Sequence, residues 1–332
     1  MSGLLRAELA RARARPFVWG VVAAVTLGAV GLVLIGWWDT RPPTSGQVDE
    51  AHVALAEAAQ RWEADGAALV ARCLELQDEV RADEGEAVDL GCDAMEPVLE
   101  QFLPYRPGLA DLLEQRLTST ALMVVIGMLM TGVGLVSAEF ASGAMGTWLT
   151  FTPRRGRVFV SKLAAASVAA LVVAVVPTVL ALAGLTAVCA LHGTGTTVEP
   201  AVAAELAGQA ARWLAVGLGA TALGVGLAFA VRHAAAVTGI VVWWIAAVES
   251  TLALVLPPAR WLPLSTNVRA WTTGEAMYEV PACVHDPQAS GGEVCEMVVR
   301  YVGAGQGALV MGVLVALALL AGWLSFRLRD VT

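Results

Sequence analysis

The chain has 332 residues, 57% of them hydrophobic, with a mean hydropathy of +0.68 and a net charge of −8. Soluble domains average about 45–50% apolar, so this composition excludes an ordinary soluble protein and indicates an integral membrane protein. Lys162 is the single lysine among 21 basic residues and alanine is abundant, which fits a high-G+C bacterial genome.

Residues 1–16 read as a basic interfacial helix. Leu4, Leu5, Leu9 and Ala12 share one face, on which Glu8 and Arg15 intrude. The apolar run at 17–38 then provides about 22 residues, enough for a ~30 Å hydrocarbon core and longer than the core of a cleavable signal. It ends in Trp37 and Trp38 with no small-residue cleavage site behind them, so it reads as a retained first span. Further apolar runs at 119–138, 163–191, 212–231, 235–256 and 303–326 bring the expected spans to six. The third contains Pro177, which predicts a kink.

Charge predicts the orientation. Arg6, Arg11, Arg13 and Arg15, the basic loop at 139–162, Arg232 with His233, and Arg327 with Arg329 all fall on one side when six spans alternate. The positive-inside rule makes that side, and both termini, cytoplasmic.

On the opposite side, residues 39–118 hold 18 acidic residues against 6 arginines, a net charge of −12. Residues 48–82 read as one helix. Leu55, Trp62, Leu69 and Leu76 recur every seven residues, with Ala59, Gly66, Cys73 and Val80 four positions later, which is a heptad seam. The expected partner is the return segment, with Leu109, Leu112, Leu113 and Leu117 at helical spacing. The expected fold is therefore an all-α integral membrane protein of six transmembrane helices, with an extracytoplasmic helical hairpin between the first and second spans. The hairpin is either a solvated acidic cap or a capture surface for cations. The outer loop at 257–302 begins PPARWLPLSTNVRAW and predicts short helices at the membrane surface.

Five cysteines are present. Cys73 and Cys92 share the first outer loop, and Cys283 and Cys295 share the third, which predicts two local disulfides in an oxidising compartment. Metal spacing is absent. Cys189, alone in a span, reads as a small buried apolar residue.

Catalytic chemistry is not apparent. His52, His192, His233 and His285 fall at span ends or in loops. Glu249 is the main ionisable group well inside a span, roughly 10 Å from its outer end, and an intramembrane acid is a candidate for a substrate path or a hydrated interface residue. No phosphate-binding loop occurs. The string ASGGE at 289–293 resembles an ATP-cassette signature but lies in an outer loop. If ATP drives this protein, a different chain binds it.

The loop EFASGAMGTWLTFTPRRGRVFVSK at 139–162 carries the most information. It resembles the cytoplasmic coupling segment of type-two ABC exporter permeases: an acid, a G-x-x-G-T-like turn, a leucine, proline–arginine–x–x–arginine and a lysine after the second span. The matching positions are Glu139, Gly143, Gly146, Thr147, Leu149, Pro153, Arg154, Arg157 and Lys162. The resemblance implies a coupling helix at 139–152 seated on a separate ATPase subunit, and a connecting helix at 2–15 on the inner surface of a bacterial plasma membrane. It implies that ATP and magnesium bind the partner and that a second permease copy or paralogue completes the transporter. Independently of the resemblance, Glu249, as an intramembrane acid, and Pro177, as a kink or hinge, are candidates for a substrate path. Small residues Gly20, Ala24 and Gly28, and Gly303 and Gly307, would allow close packing within or between copies. Two rivals remain: a sensor or assembly scaffold whose acidic hairpin binds an external partner, and a membrane enzyme. Neither nucleic acid nor a bound metal is expected, and membrane lipid is the surrounding partner.

Overall fold

The computed structural model describes residues 2–84, 89–151, 153–249, 251–252, 259–285 and 293–330. Among the described residues five helices are long and apolar enough to cross a membrane: α2 (Pro16–Thr40), α4 (Leu109–Ala141), α6 (Arg155–His192), α7 (Pro200–Val231) and α10 (Ala304–Leu328). They fit a multi-pass membrane protein. α1 (Ser2–Ala14) precedes them, α3 (Ser45–Glu84) stands between α2 and α4, and α5 (Ala144–Phe151) lies between α4 and α6. The fifth expected span, at 235–256, is described as α8 (Ala234–Trp243) and a π turn (Trp244–Val248). These 15 residues cover about 22 Å at 1.5 Å per residue, short of a ~30 Å core. The rest of that run lies largely outside the described residues.

α4 is the central element. In its most apolar stretch 61% of residues are buried, against 22% in α2 and 17% in α10, so α2 and α10 form the rim. α4 packs on α7, α6 and α2, and α7 packs on α10. Backbones approach closely where glycines meet. A Cβ at Gly226 of α7 would strike the Ala318 backbone, and one at Gly322 of α10 would strike Gly226. Of the small residues noted above, Gly20 and Gly303 face open space, while Gly28 meets Met123 and Gly307 meets the Asn267 backbone. At the α1 end of the bundle, Phe159, Phe229 and Phe326 gather with Phe140 and Trp323, with ring centroids 4.8–6.4 Å apart. Edge-to-face and tilted contacts of this kind add to the stabilisation from burial.

Two expectations for the segments that join the long helices change. α3 forms as expected and is longer, 40 residues or about 60 Å. Its return is not a helix along the seam. The chain comes back through two short 3-10 turns, Cys92–Ala94 and Leu99–Gln101. Leu109 and Leu112 pack instead on Leu185 and Cys189 of α6, with Val33 of α2 and Leu113 alongside. Leu112 is fully buried there. The bundle offers those leucines a deeper site than a solvated seam does, so burial decides the competition. The seam keeps Leu69 and Leu76 about half exposed. The predicted Cys73–Cys92 disulfide is formed, and the Gln77 amide oxygen accepts the Leu90 N–H at 2.9 Å beside it.

The described part of the loop at 257–302 contains α9 (Leu264–Thr273) and then an antiparallel hairpin, β1 (Glu275–His285) with β2 (Glu293–Gly303). The hairpin was not expected. Its strands carry Val280, Val284, Val294, Val298, Val299 and Val302, with Tyr278 and Tyr301, and β-branched and aromatic residues suit a half-buried pleated surface. Ala276 and Val302 are buried against Ala270, with Trp261 and Tyr278 beside them. Register sets Cys283 opposite Cys295 and Cys283 is disulfide-bonded. The Cys295 side chain lies outside the described residues. Cys189 is free and buried.

The candidate coupling site

The corner between α4 and α6 is shaped by local chemistry. Gly143 adopts a φ of +68° just after α4, a left-handed turn that glycine takes without a Cβ penalty. α5 follows. Pro153, which cannot continue a helix from behind, separates it from Arg154, the N-cap of α6. The expected coupling helix at 139–152 is thus two pieces: the last turn of α4, carrying Glu139, and α5.

The corner has a buried inner layer. Glu139 (1% exposed), Lys162 (3%) and Glu8 (5%) meet there. The Lys162 ammonium pairs with Glu139 Oε2 and lies 2.5 Å from Glu8 Oε2. The Arg15 guanidinium donates to Glu139 Oε1 at 2.8 Å and to the Leu135 carbonyl at 2.8 Å. Two carboxylates and two cations balance. Arg11 stacks over the Trp148 ring at 4.2 Å, and Lys162 Nζ lies 5.8 Å from the same ring. This cluster joins α1, the start of α2, α4, α5 and α6. Glu8 and Arg15, the two residues that interrupt the apolar face of α1, are the ones that anchor it. Their spacing of seven residues, which places both on one helical face, was the available signal. Glu139 and Lys162 are consequently structural ties, turned away from solvent.

An outer layer faces solvent. Thr147, Pro153, Arg154 and Arg157 are exposed. Neither Arg154 nor Arg157 has a side-chain partner among the described residues. Phe151, at the end of α5, is 81% exposed. Sequence reading passed over Phe151; an aromatic residue two positions before a proline in a basic loop was the signal. Gly146 is half-buried, and Leu149 packs on the aromatic cluster.

The remaining arginine of the loop, Arg155, donates to the carbonyls of Phe326, Arg327 and Arg329 at 2.7–3.0 Å. It caps the C-terminus of α10, where cations are favoured. Arg232, in the turn after α7, donates to the Asp330 carbonyl at 2.8 Å. Burial, then nearby Arg329 and Arg155, hold its guanidinium below the usual value.

Glu249 is occupied by a neighbouring helix. Oε1 accepts from the Leu264 N–H at 2.7 Å and from Trp244 Nε1 at 3.1 Å, and Oε2 accepts from the Ser265 N–H at 3.0 Å and its hydroxyl at 2.8 Å. It satisfies free N–H groups at the start of α9, where a negative charge is favoured. Pro177 is buried inside an unbroken α6. At the far end of the bundle Asp39 pairs with Arg116 at 2.5 Å, and Arg106 donates to the carbonyls of Thr40 and His192 at 3.0 and 2.6 Å. These contacts tie α2, α4 and α6 together. Among the described residues no group of three or more His, Cys, Asp or Glu is placed to hold a metal ion.

No protein-family model, curated protein or solved structure matches the chain.

Proposed function

We propose that this chain is the permease subunit of an ATP-driven ABC exporter. It would form the translocation path and dock a separate ATPase through the outer layer of the α4–α6 corner. The observation that carries this reading is the exposed side chain of Phe151, closely followed in sequence by Arg154 and Arg157, which are exposed and have no side-chain partner among the described residues. Phenylalanine and arginine are both enriched in protein interfaces relative to the rest of the surface. The buried charge cluster of the inner layer would turn a push on α5 into movement of α1, α4 and α6 together.

In this reading ATP and magnesium bind the partner, and this chain supplies no hydrolytic group. ATP binding can drive transport only through contacts that differ between two states of the permease, and the docked corner is where such contacts would form. A second permease, identical or paralogous, would pack on the apolar rim of α2 or α10. Both termini would face the cytoplasm of a bacterium.

Affinity purification of the tagged chain in mild detergent, followed by mass spectrometry, tests the proposal. A cytoplasmic ATP-binding-cassette protein at about one copy per permease is expected. Its loss on Phe151→Ala or on Arg154→Glu with Arg157→Glu would place the contact at the corner. Recovery of the chain with external partners alone would favour the second reading, a sensor or assembly scaffold. That alternative has its own observation, the half-exposed apolar seam of α3 at Leu69 and Leu76.

A further inference from the structure

α1 presents two stripes. Glu8, Arg11, Ala12 and Arg15 face the buried charge cluster. Arg6, Leu9, Ala10 and Arg13, related by the same i, i+3, i+4, i+7 spacing, roof a second groove, and Ala12 lines both. The floor of that groove is Val18 and Val22 of α2 and Val168, Ala169 and Val172 of α6, with Trp19 at its side. Its volume is about 520 Å³.

The lining divides sharply by chemistry. Val18, Val22 and Ala169 are buried, while Val168 and Val172 are about 40% exposed. The trough is therefore continuous with the apolar surface that α6 turns toward lipid. The charged lining groups are the guanidinium groups of Arg6 and Arg13. Both residues are exposed, and neither side chain has a hydrogen-bond or ion-pair partner among the described residues. Arg11 and Arg15, on the other stripe, are both engaged.

We propose that this groove binds one anionic phospholipid. Its phosphate sits between Arg6 and Arg13, and an acyl chain lies along Val172, Val168 and Val22. A soluble phosphate would leave the valine floor unfilled. The volume falls within the ~300–1,000 Å³ usual for small-molecule sites. Two arginines near a membrane surface favour an anionic over a zwitterionic headgroup by roughly thirtyfold. The proposal rests on the membrane-spanning character of the helices and is independent of ATP-driven transport.

Native mass spectrometry of the full chain, titrated with phosphatidylglycerol or phosphatidylcholine of identical acyl chains, tests it. One phosphatidylglycerol is expected to remain bound, roughly thirtyfold more tightly than phosphatidylcholine. Arg6→Gln with Arg13→Gln should abolish that preference with no change in the melting temperature. Val168→Trp should fill the trough and weaken retention of both lipids. Glycerophosphoglycerol, the headgroup without chains, should not compete. Equal retention of the two lipids by the wild-type chain would overturn the proposal. So would an unchanged preference in the double variant, or competition by the free headgroup as strong as by the lipid.

Discussion

The two layers of the α4–α6 corner use the same residue types to opposite ends. Inside, Glu139 and Lys162 are almost fully buried, and each charge is met by a partner from a distant segment. Outside, Arg154 and Arg157, which closely follow the exposed Phe151 in sequence, are exposed and meet no side-chain partner among the described residues. A charge taken from water must be paired or it destabilises the fold, whereas a charge left in water costs little and stays available for another molecule. Stability should therefore depend on the inner layer and association on the outer one.

The largest effect belongs inside. Lys162→Met leaves Glu8 and Glu139 buried without their shared cation, and breaking a buried pair in this way costs about 3–5 kcal/mol. A marked fall in melting temperature of the detergent-purified chain is expected, with partial recovery when Glu139→Gln is added. A small change would place the cluster in contact with water.

Cys73→Ser should act on a different part of the molecule. The bridge closes a segment with a sequence separation of 19, for which loop entropy predicts about 3 kcal/mol. The effect should stay in the outer segment. Limited proteolysis between α3 and α4 should accelerate while the melting of the bundle barely moves. A matching loss in the bundle would show that the two unfold together.

Gly322→Leu probes packing without charge. The side chain would meet the Gly226 backbone, and overpacking of this kind costs about 1–3 kcal/mol, read as a lower melting temperature. An effect larger than that of Lys162→Met would reverse the ranking of charge over packing.

The smallest effect on stability, within about 0.5 kcal/mol, is expected for Arg154→Glu with Arg157→Glu. Capture of an ATPase partner should fall more than tenfold in the same variant. A variant that melts early would place these arginines in the inner layer.

Much of this organisation was legible in local sequence. The five long apolar helices, the helix at 48–82 and the Cys73–Cys92 bridge follow from hydropathy, heptad spacing and cysteine position. Each of these signals acts over a short stretch of chain. The turn at Gly143 and the break at Pro153 were legible for the same reason, since glycine and proline act on their own backbone.

Less was legible where two placements compete. Leu109 and Leu112 satisfy a helical pattern equally well on the α3 seam or in the bundle, and only the greater burial beside Leu185 and Cys189 decides between them. The strands at 275–303 fell in a segment expected to form short helices, because the inward side of Ala276 and Tyr278 on one strand and Val302 on the other gains meaning only once they pack with α9. Glu249 looked like an isolated acid until the start of α9 was brought to it.

The sequence by itself determined which segments are apolar enough to span, which segment projects as a long acidic helix, and where the basic corner interrupts the bundle. Tertiary structure alone decided what each charge does. Lys162 and Glu8 are separated by 154 positions, and Arg15 and Glu139 by 124. Nothing in the local pattern pairs them, because an ion pair depends on distance in space, and that distance is set by how α1, α4 and α6 pack.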